Sequence, residues 1–227
     1  QLMRWRSRRN HYLPERIVFM DCSLSSMICA HKLLDSQEDL EIHLVTEAFE
    51  VGMYGESPGL ITTSSWPMLR PHWISDSGFD HPTNASHTAI KSSWLRKAVA
   101  ISLSGRGAKF HTGTRRTSIS MNERAIQLSY PGSRSRLLIE FDHIVHTEKE
   151  TGTLWNGAIV TRPPDWPCST GLRPDGSFEI WWQGNDSPNS PLQVMEWIGI
   201  DPDLELSRQS SLSESKLANL DLASKTT

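Results

Sequence analysis

"RIVFMDCSLSSMICAHKLL", residues 16–34, reads as a strand, a tight turn and a helix in succession. Its first part, RIVFM, is a short unbroken apolar run, the pattern of a strand buried on both faces of a parallel sheet. Leu24, Met27, Ile28 and Leu34 then recur at helical spacing and predict a helix with one buried stripe. The tight turn between the two contains no glycine. QEDLEIHLVTE, residues 37–47, adds a polar turn and a second strand. The three pieces make a β-α-β unit of the size that a right-handed parallel crossover requires.

Working outward, residues 52–84 are rich in Gly, Pro, Ser and Trp without sustained periodicity, which predicts a long surface excursion. A helix is expected from Ala89 to Ser104, stopped by Gly105 and Gly107, with AKFHTG as a short strand after it. RTSISM, AIQLSY and RLLIEFDHIVHT, separated by turns at Asn122-Glu123 and Pro131-Gly132, alternate like an antiparallel meander whose last strand re-enters the main sheet as FDHIVH. Residues 151–200 hold five of the nine tryptophans, and TLWNGAIVTR and GSFEIWWQG read as strands of a second layer. In the pair Trp181-Trp182, neighbours on a strand point oppositely, so one is expected in the core and the other exposed or in a pocket. Beyond Asp201 the chain reads as a polar tail with at most one short helix around Leu212 to Leu222.

The 227 residues carry a net charge of −3, which gives no general attraction to nucleic acid or acidic lipid despite the basic arm QLMRWRSRR. No apolar run reaches the roughly 18 residues that a membrane span needs. Three cysteines without C-x-x-C spacing fit a reducing, cytoplasmic setting. Asp21 interrupts what would otherwise resemble a twin-arginine export signal.

The order of elements resembles the FAD-binding half of the flavoprotein monooxygenase superfamily, which includes the tryptophan halogenases, over residues 16–147. RIVFMDCSLSSMICAHKLL stands for the G-x-G-x-x-G unit, HLVTE for the strand ending in a ribose-binding acid, and YGESP for the Gly-Glu-Ser/Ala stretch of halogenases. WLRKAVAISLSGRGAKFHTG and IEFDHIVHT complete the match. The resemblance implies an α/β, Rossmann-like FAD/NAD(P)-binding three-layer fold with an antiparallel β-meander and a smaller β-rich appendage. The division expected is an arm (1–15), a dinucleotide-binding domain (16–150), a Trp-rich β segment of substrate-domain type (151–200) and a Ser-rich tail (201–227). It also implies FAD as cofactor, an oxidoreductase of monooxygenase or halogenase type, and an aromatic or apolar small-molecule substrate.

Carried over position by position, the cofactor contacts fall on Asp21, Cys22, Ser23, Leu24, Ser25 and Ser26, on Thr46 or Glu47 for the ribose, and on Gly55, Glu56 and Ser57 in a lid. The three fingerprint glycines serve, in order, the tight turn, the approach of backbone to the pyrophosphate, and close packing of the helix. Asp21, Ser23 and Ser26 occupy those places here. Ser26 is small enough for packing, and Ser23 can cap the helix. Asp21 is the difficult residue, since a carboxylate about 6 Å from a phosphate charge costs on the order of 3 kcal/mol at an effective dielectric near 20. A helix N-terminus attracts that carboxylate, so Asp21 can take the phosphate's place. The family's glycine after IEFDHIVHT is displaced to Gly152, and its late Gly-Asp motif has no counterpart. Two readings follow: an FAD-dependent oxidoreductase with weakened flavin binding, or a non-catalytic Rossmann-like remnant that acts as a binding or interaction module.

Other chemistry is weaker. Gly55-Glu56-Ser57-Pro58-Gly59 matches a G-x-S-x-G elbow, but Pro58 lacks the backbone N–H that the oxyanion hole needs. Glu56 is the best-placed carboxylate, and no general acid or base is assigned. His72, His81 and His87, with Asp76 and Asp80, lack metal-ligand spacing, and His143 and His146 point to opposite faces of their strand, so no metal is expected.

Overall fold

In the computed structural model of the chain, residues 14–37, 39–52, 56–62, 69–75, 87–149 and 151–224 are described, with side chains through Leu220. Ile17, Val18 and Phe19 are all buried, as an apolar run in a central strand requires. This strand, β1 (Glu15–Phe19), leads into α1 (Leu24–Ser36) and returns as β2 (Leu40–Val45), parallel to β1 with Ile17 opposite Ile42. α2 (Ser92–Gly105) begins three residues later than expected and feeds β3 (Lys109–His111), which extends the sheet beside β2.

β4 (Arg115–Ser120), β5 (Ala125–Ser129) and β6 (Arg136–Glu140) form the antiparallel meander, after which β7 (His143–Val145) joins β1 in parallel. The main sheet therefore runs β3-β2-β1-β7. The change of sheet is pinned at Asp142, whose carboxylate accepts from the Arg16 N–H at 2.9 Å and whose own N–H donates to the Arg16 carbonyl at 2.8 Å. Alternation along the strands sorts the core. Ile17, Phe19, Ile42 and Leu44 pack on Met27, Ile28, Leu95 and Leu103 of the helices, whereas Val18 and Val45 pack on Ile126, Leu128 and Ile139 of the meander. Each such buried side chain contributes about 1.5–3 kcal/mol.

β8 (Thr153–Val160), β9 (Ser169–Leu172), β10 (Phe178–Trp182) and β11 (Gln193–Gly199) make a separate antiparallel sheet in the order β11-β8-β10-β9. Trp181 and Trp182 do point to opposite faces, yet both are buried. Trp181 packs among Leu60, Ala89 and Trp197, and Trp182 lies beneath Trp166 on the other face. The expectation that one of them is open fails because Trp166, Cys168 and Phe178 cover the second face. Gly157 permits this packing, since a Cβ there would come within 2.5 Å of the Trp181 ring.

The end of the chain also departs from expectation. Instead of a tail with a short helix, α3 (Glu205–Ser224) is 20 residues long. Leu206, Leu217 and Leu220 join the core cluster that contains α1 and α2. Among the described residues no helix is long and apolar enough to cross a membrane.

Candidate functional site

The glycine-free turn between β1 and α1 is solved by hydrogen bonding. Among the described residues, only Arg124 and Ser190 are non-glycines with left-handed backbone, so none of Met20–Ser23 needs the conformational freedom of glycine. Asp21 Oδ1 accepts from the Ser23 N–H at 2.9 Å and from the Ser23 hydroxyl at 2.7 Å, closing an Asx-type turn two residues long. Ser23 is then the N-cap, its Oγ accepting from the Ser26 N–H at 3.2 Å. Cys22 sits in the same turn with its thiol pushed up to about 12 by burial and by the charge of Asp21, so it stays protonated at neutral pH.

The next donor is satisfied from far along the chain. The Ser25 N–H donates to Gln209 Oε1 of α3 at 3.0 Å. Lys216, two turns further on and 5% exposed, donates to Ser25 Oγ at 3.1 Å and to Ser26 Oγ at 2.9 Å. Its amine also lies 3.9 Å from Asp21 Oδ2. Three of the four N–H groups that a helix start offers to an anion, those of Ser23, Ser25 and Ser26, are thus held by Asp21, Gln209 and Ser23.

A cleft of about 550 Å³ opens beside this point. Asp21 and Ser23 of the β1–α1 turn and Leu24 and Ser25 of α1 line it, with Gln209 and Lys216 from α3. Leu154, Trp197 and Ile198 supply an apolar wall from β8 and β11. Glu56, Ser57, Ser92 and Arg96 close it near the start of α2. There the Ser93 hydroxyl donates to Glu56 Oε1 at 3.0 Å, while buried Glu56 Oε2 has no hydrogen-bond partner among the described residues. Burial lowers the pKa of Arg96, and the Glu56 charge opposes that shift.

Of the residues expected from sequence, the cleft brings together Asp21, Ser23, Leu24, Ser25, Glu56 and Ser57. Cys22 and Ser26 adjoin it in the chain without lining it, and Ser26 is fully buried. Thr46 and Glu47 stand apart. The Thr46 N–H donates to the His111 carbonyl at 2.9 Å, its carbonyl accepts from the Thr114 N–H at 3.2 Å, and Glu47 is exposed. Gly55 lies outside the described residues, as do His81, Asp76 and Asp80. His72 hydrogen-bonds Asp35 at 3.1 Å, and among the described residues no group of His, Cys, Asp or Glu is placed to hold a metal ion.

The GESPG stretch carries a different role at its end. The Gly59 N–H donates to Glu179 Oε1 at 2.8 Å, and this fully buried carboxylate also accepts from the Trp181 indole at 2.8 Å and from Arg173 Nε at 3.0 Å. The bonds tie the loop to the second sheet. Sequence reasoning missed Gln209, Lys216 and Arg96. A lysine and a glutamine among serines read as solvated, and only the position of α3 against α1 reveals that they are not.

No protein-family model matches the chain, and no curated protein matches it in sequence. Solved structures do. A flavoprotein/dehydrogenase from Cytophaga hutchinsonii superposes with a TM-score of 0.59 at 10% identity, over 92% of this chain and 77% of that one. The halogenase PltM gives 0.58 at 10% identity, over 93% and 68%. BexE, studied for oxidation during BE-7585A biosynthesis, gives 0.52 at 14% identity, over 82% and 52%. The chain thus spans about half the length of BexE, and likewise 52% of CabE, an aromatic hydroxylase. The likeness is one of fold, and it agrees with the resemblance drawn from the sequence: the chain has the fold of flavoprotein monooxygenases and halogenases.

Proposed function

We propose that the chain is a small-molecule binding module on a flavoprotein oxidoreductase fold, in which its own side chains oppose FAD at the start of α1. The observation that carries this reading is the occupation of three anion-binding N–H groups by Asp21, Gln209 and Ser23. A dinucleotide diphosphate needs those donors and must face the Asp21 carboxylate, so it does not fit this end as built. Glu47, exposed at the end of β2, is not among the residues that line the cleft, which also supports this reading. An apolar wall of Leu154, Trp197 and Ile198 suits an aromatic or apolar ligand. The three free cysteines suit a cytoplasmic protein.

A second reading, an FAD-dependent oxidoreductase, is favoured by one feature: the cleft adjoins the start of α1 and includes Glu56 and Ser57. The visible spectrum of the purified full chain separates the two. The first reading predicts a colourless protein that stays colourless after incubation with FAD and desalting. A yellow protein carrying stoichiometric flavin contradicts it.

A further inference from the structure

We infer that α3 is a resident competitor for anions at the start of α1: Gln209 holds the place of an anionic oxygen, and Lys216 is the cation that would bind the anion once Gln209 and Asp21 are removed. The inference rests on the reading above, that the diphosphate position is filled from within.

The orientation of Gln209 is fixed by chemistry at both ends. Its Nε2 donates to Glu205 Oε1 at 2.7 Å, and a carboxylate can only accept, so the amide oxygen must face the Ser25 N–H. Glu205, 2% exposed, is itself held by Arg208 at 2.7 and 2.9 Å. The amide is therefore a positioned ligand. Residues 209, 213 and 216 lie at i, i+4 and i+7 and share one face of α3. All three meet polar partners on α1: Gln209 the Ser25 N–H, Ser213 the Lys32 amine at 3.0 Å, and Lys216 the hydroxyls of Ser25 and Ser26. The contact at this end of α1 is a polar seam, and a polar seam can exchange one acceptor for another of greater charge.

Lys216 gives the seam its specificity. A nearly buried amine with two hydroxyl acceptors needs a negative partner, and Asp21 supplies it at 3.9 Å. Removing the carboxylate leaves the cation in place, facing the N–H groups of Ser23 and Ser25. The same positive charge that now stabilises the filled site would then stabilise a bound anion.

The test uses inorganic pyrophosphate and the full chain, by calorimetry. The wild type is expected to show no saturable binding at low-millimolar pyrophosphate. An Asp21→Asn, Gln209→Ala double variant is expected to bind at least tenfold more tightly, and adding Lys216→Met to that variant to abolish the gain. The Gln209→Ala single variant is the control, since it frees the Ser25 N–H but keeps the Asp21 carboxylate, and it should bind no better than wild type. Circular dichroism confirms that each variant keeps its helices. Wild-type binding as tight as that of the double variant overturns the inference, as does a gain that survives Lys216→Met. The two readings fail separately: a yellow wild type overturns both, whereas a colourless wild type whose folded variants gain nothing overturns only this one.

Discussion

Two helix starts face the same cleft, and they are finished in opposite ways. At α1 the donors of Ser23, Ser25 and Ser26 all have acceptors from the chain itself, and the one carboxylate there has a buried amine beside it. At α2 the residue preceding the helix, Lys91, makes no side-chain cap, and one buried oxygen of Glu56 has no hydrogen-bond partner among the described residues. Similarity of fold therefore does not locate binding capacity. At the start of α1 three donors are taken up by the chain itself, whereas at α2, among the described residues, Glu56 Oε2 is left without a hydrogen-bond partner.

The contrast is broken most severely at Lys216. Lys216→Met strips Ser25 and Ser26 of their donor and leaves Asp21 without its counter-charge. A loss of about 3 kcal/mol is expected in urea unfolding, the scale for deleting one member of a nearly buried pair. Adding Asp21→Asn should recover part of that loss, and strict additivity of the two variants would show that the charges do not interact.

The far end of α1 allows a pH test of comparable size. His31 is fully buried, with its pKa lowered to about 4 chiefly by burial, against a hydrogen bond to the Val99 carbonyl that raises it. His111 is lowered to about 4 by burial and then by the charges of His43 and Lys109. Both rings are neutral in the fold and take up a proton near pH 6.5 when unfolded. The contribution of these two rings to stability is therefore full above about 6.5, falls as the pH drops toward about 4, and changes no further below that. The slope should approach about 1.4 kcal/mol per pH unit for each histidine, and a His31→Gln variant should flatten the profile. A profile unchanged between pH 6.5 and 4.5 contradicts the assignment.

Gln209→Ala is a smaller perturbation. It leaves the Ser25 N–H without its acceptor, and about 1 kcal/mol of stability should be lost by chemical denaturation. The least effect belongs to the other helix. Glu56→Gln relieves a buried carboxylate oxygen that has no hydrogen-bond partner among the described residues but also removes the charge facing the buried Arg96, so the two effects oppose and stability should stay within about 0.5 kcal/mol of wild type. A loss larger than that would mean that the Glu56 charge is structurally required, and the contrast between the two helix starts would disappear.

Much of the frame is legible in the sequence because apolar periodicity is a direct record of burial. The run at Ile17 to Phe19, the stripe of Met27 and Ile28, and the alternation in the meander each name the face that packs. Asp21 is legible as a carboxylate at a helix start, which is where its geometry puts it. What the sequence does not show is that α3 docks on α1. Its leucines at 206, 212, 217 and 220 lack a regular three-or-four spacing because the intervening contacts, at Gln209, Ser213 and Lys216, are polar. A polar seam looks the same in sequence as a solvated face. Trp182 departs from expectation for a related reason, since alternation assigns a residue to a face but does not say that Trp166 will cover that face.

Flavin fluorescence titration of the wild type beside an Asp21→Gly, Gln209→Ala variant measures how strongly the start of α1 opposes FAD. The wild type is expected to bind FAD more weakly than about 0.1 mM and the variant on the order of a hundredfold more tightly, the equivalent of one unfavourable charge interaction relieved. Micromolar binding by the wild type, or equal affinities in the two proteins, would contradict that opposition.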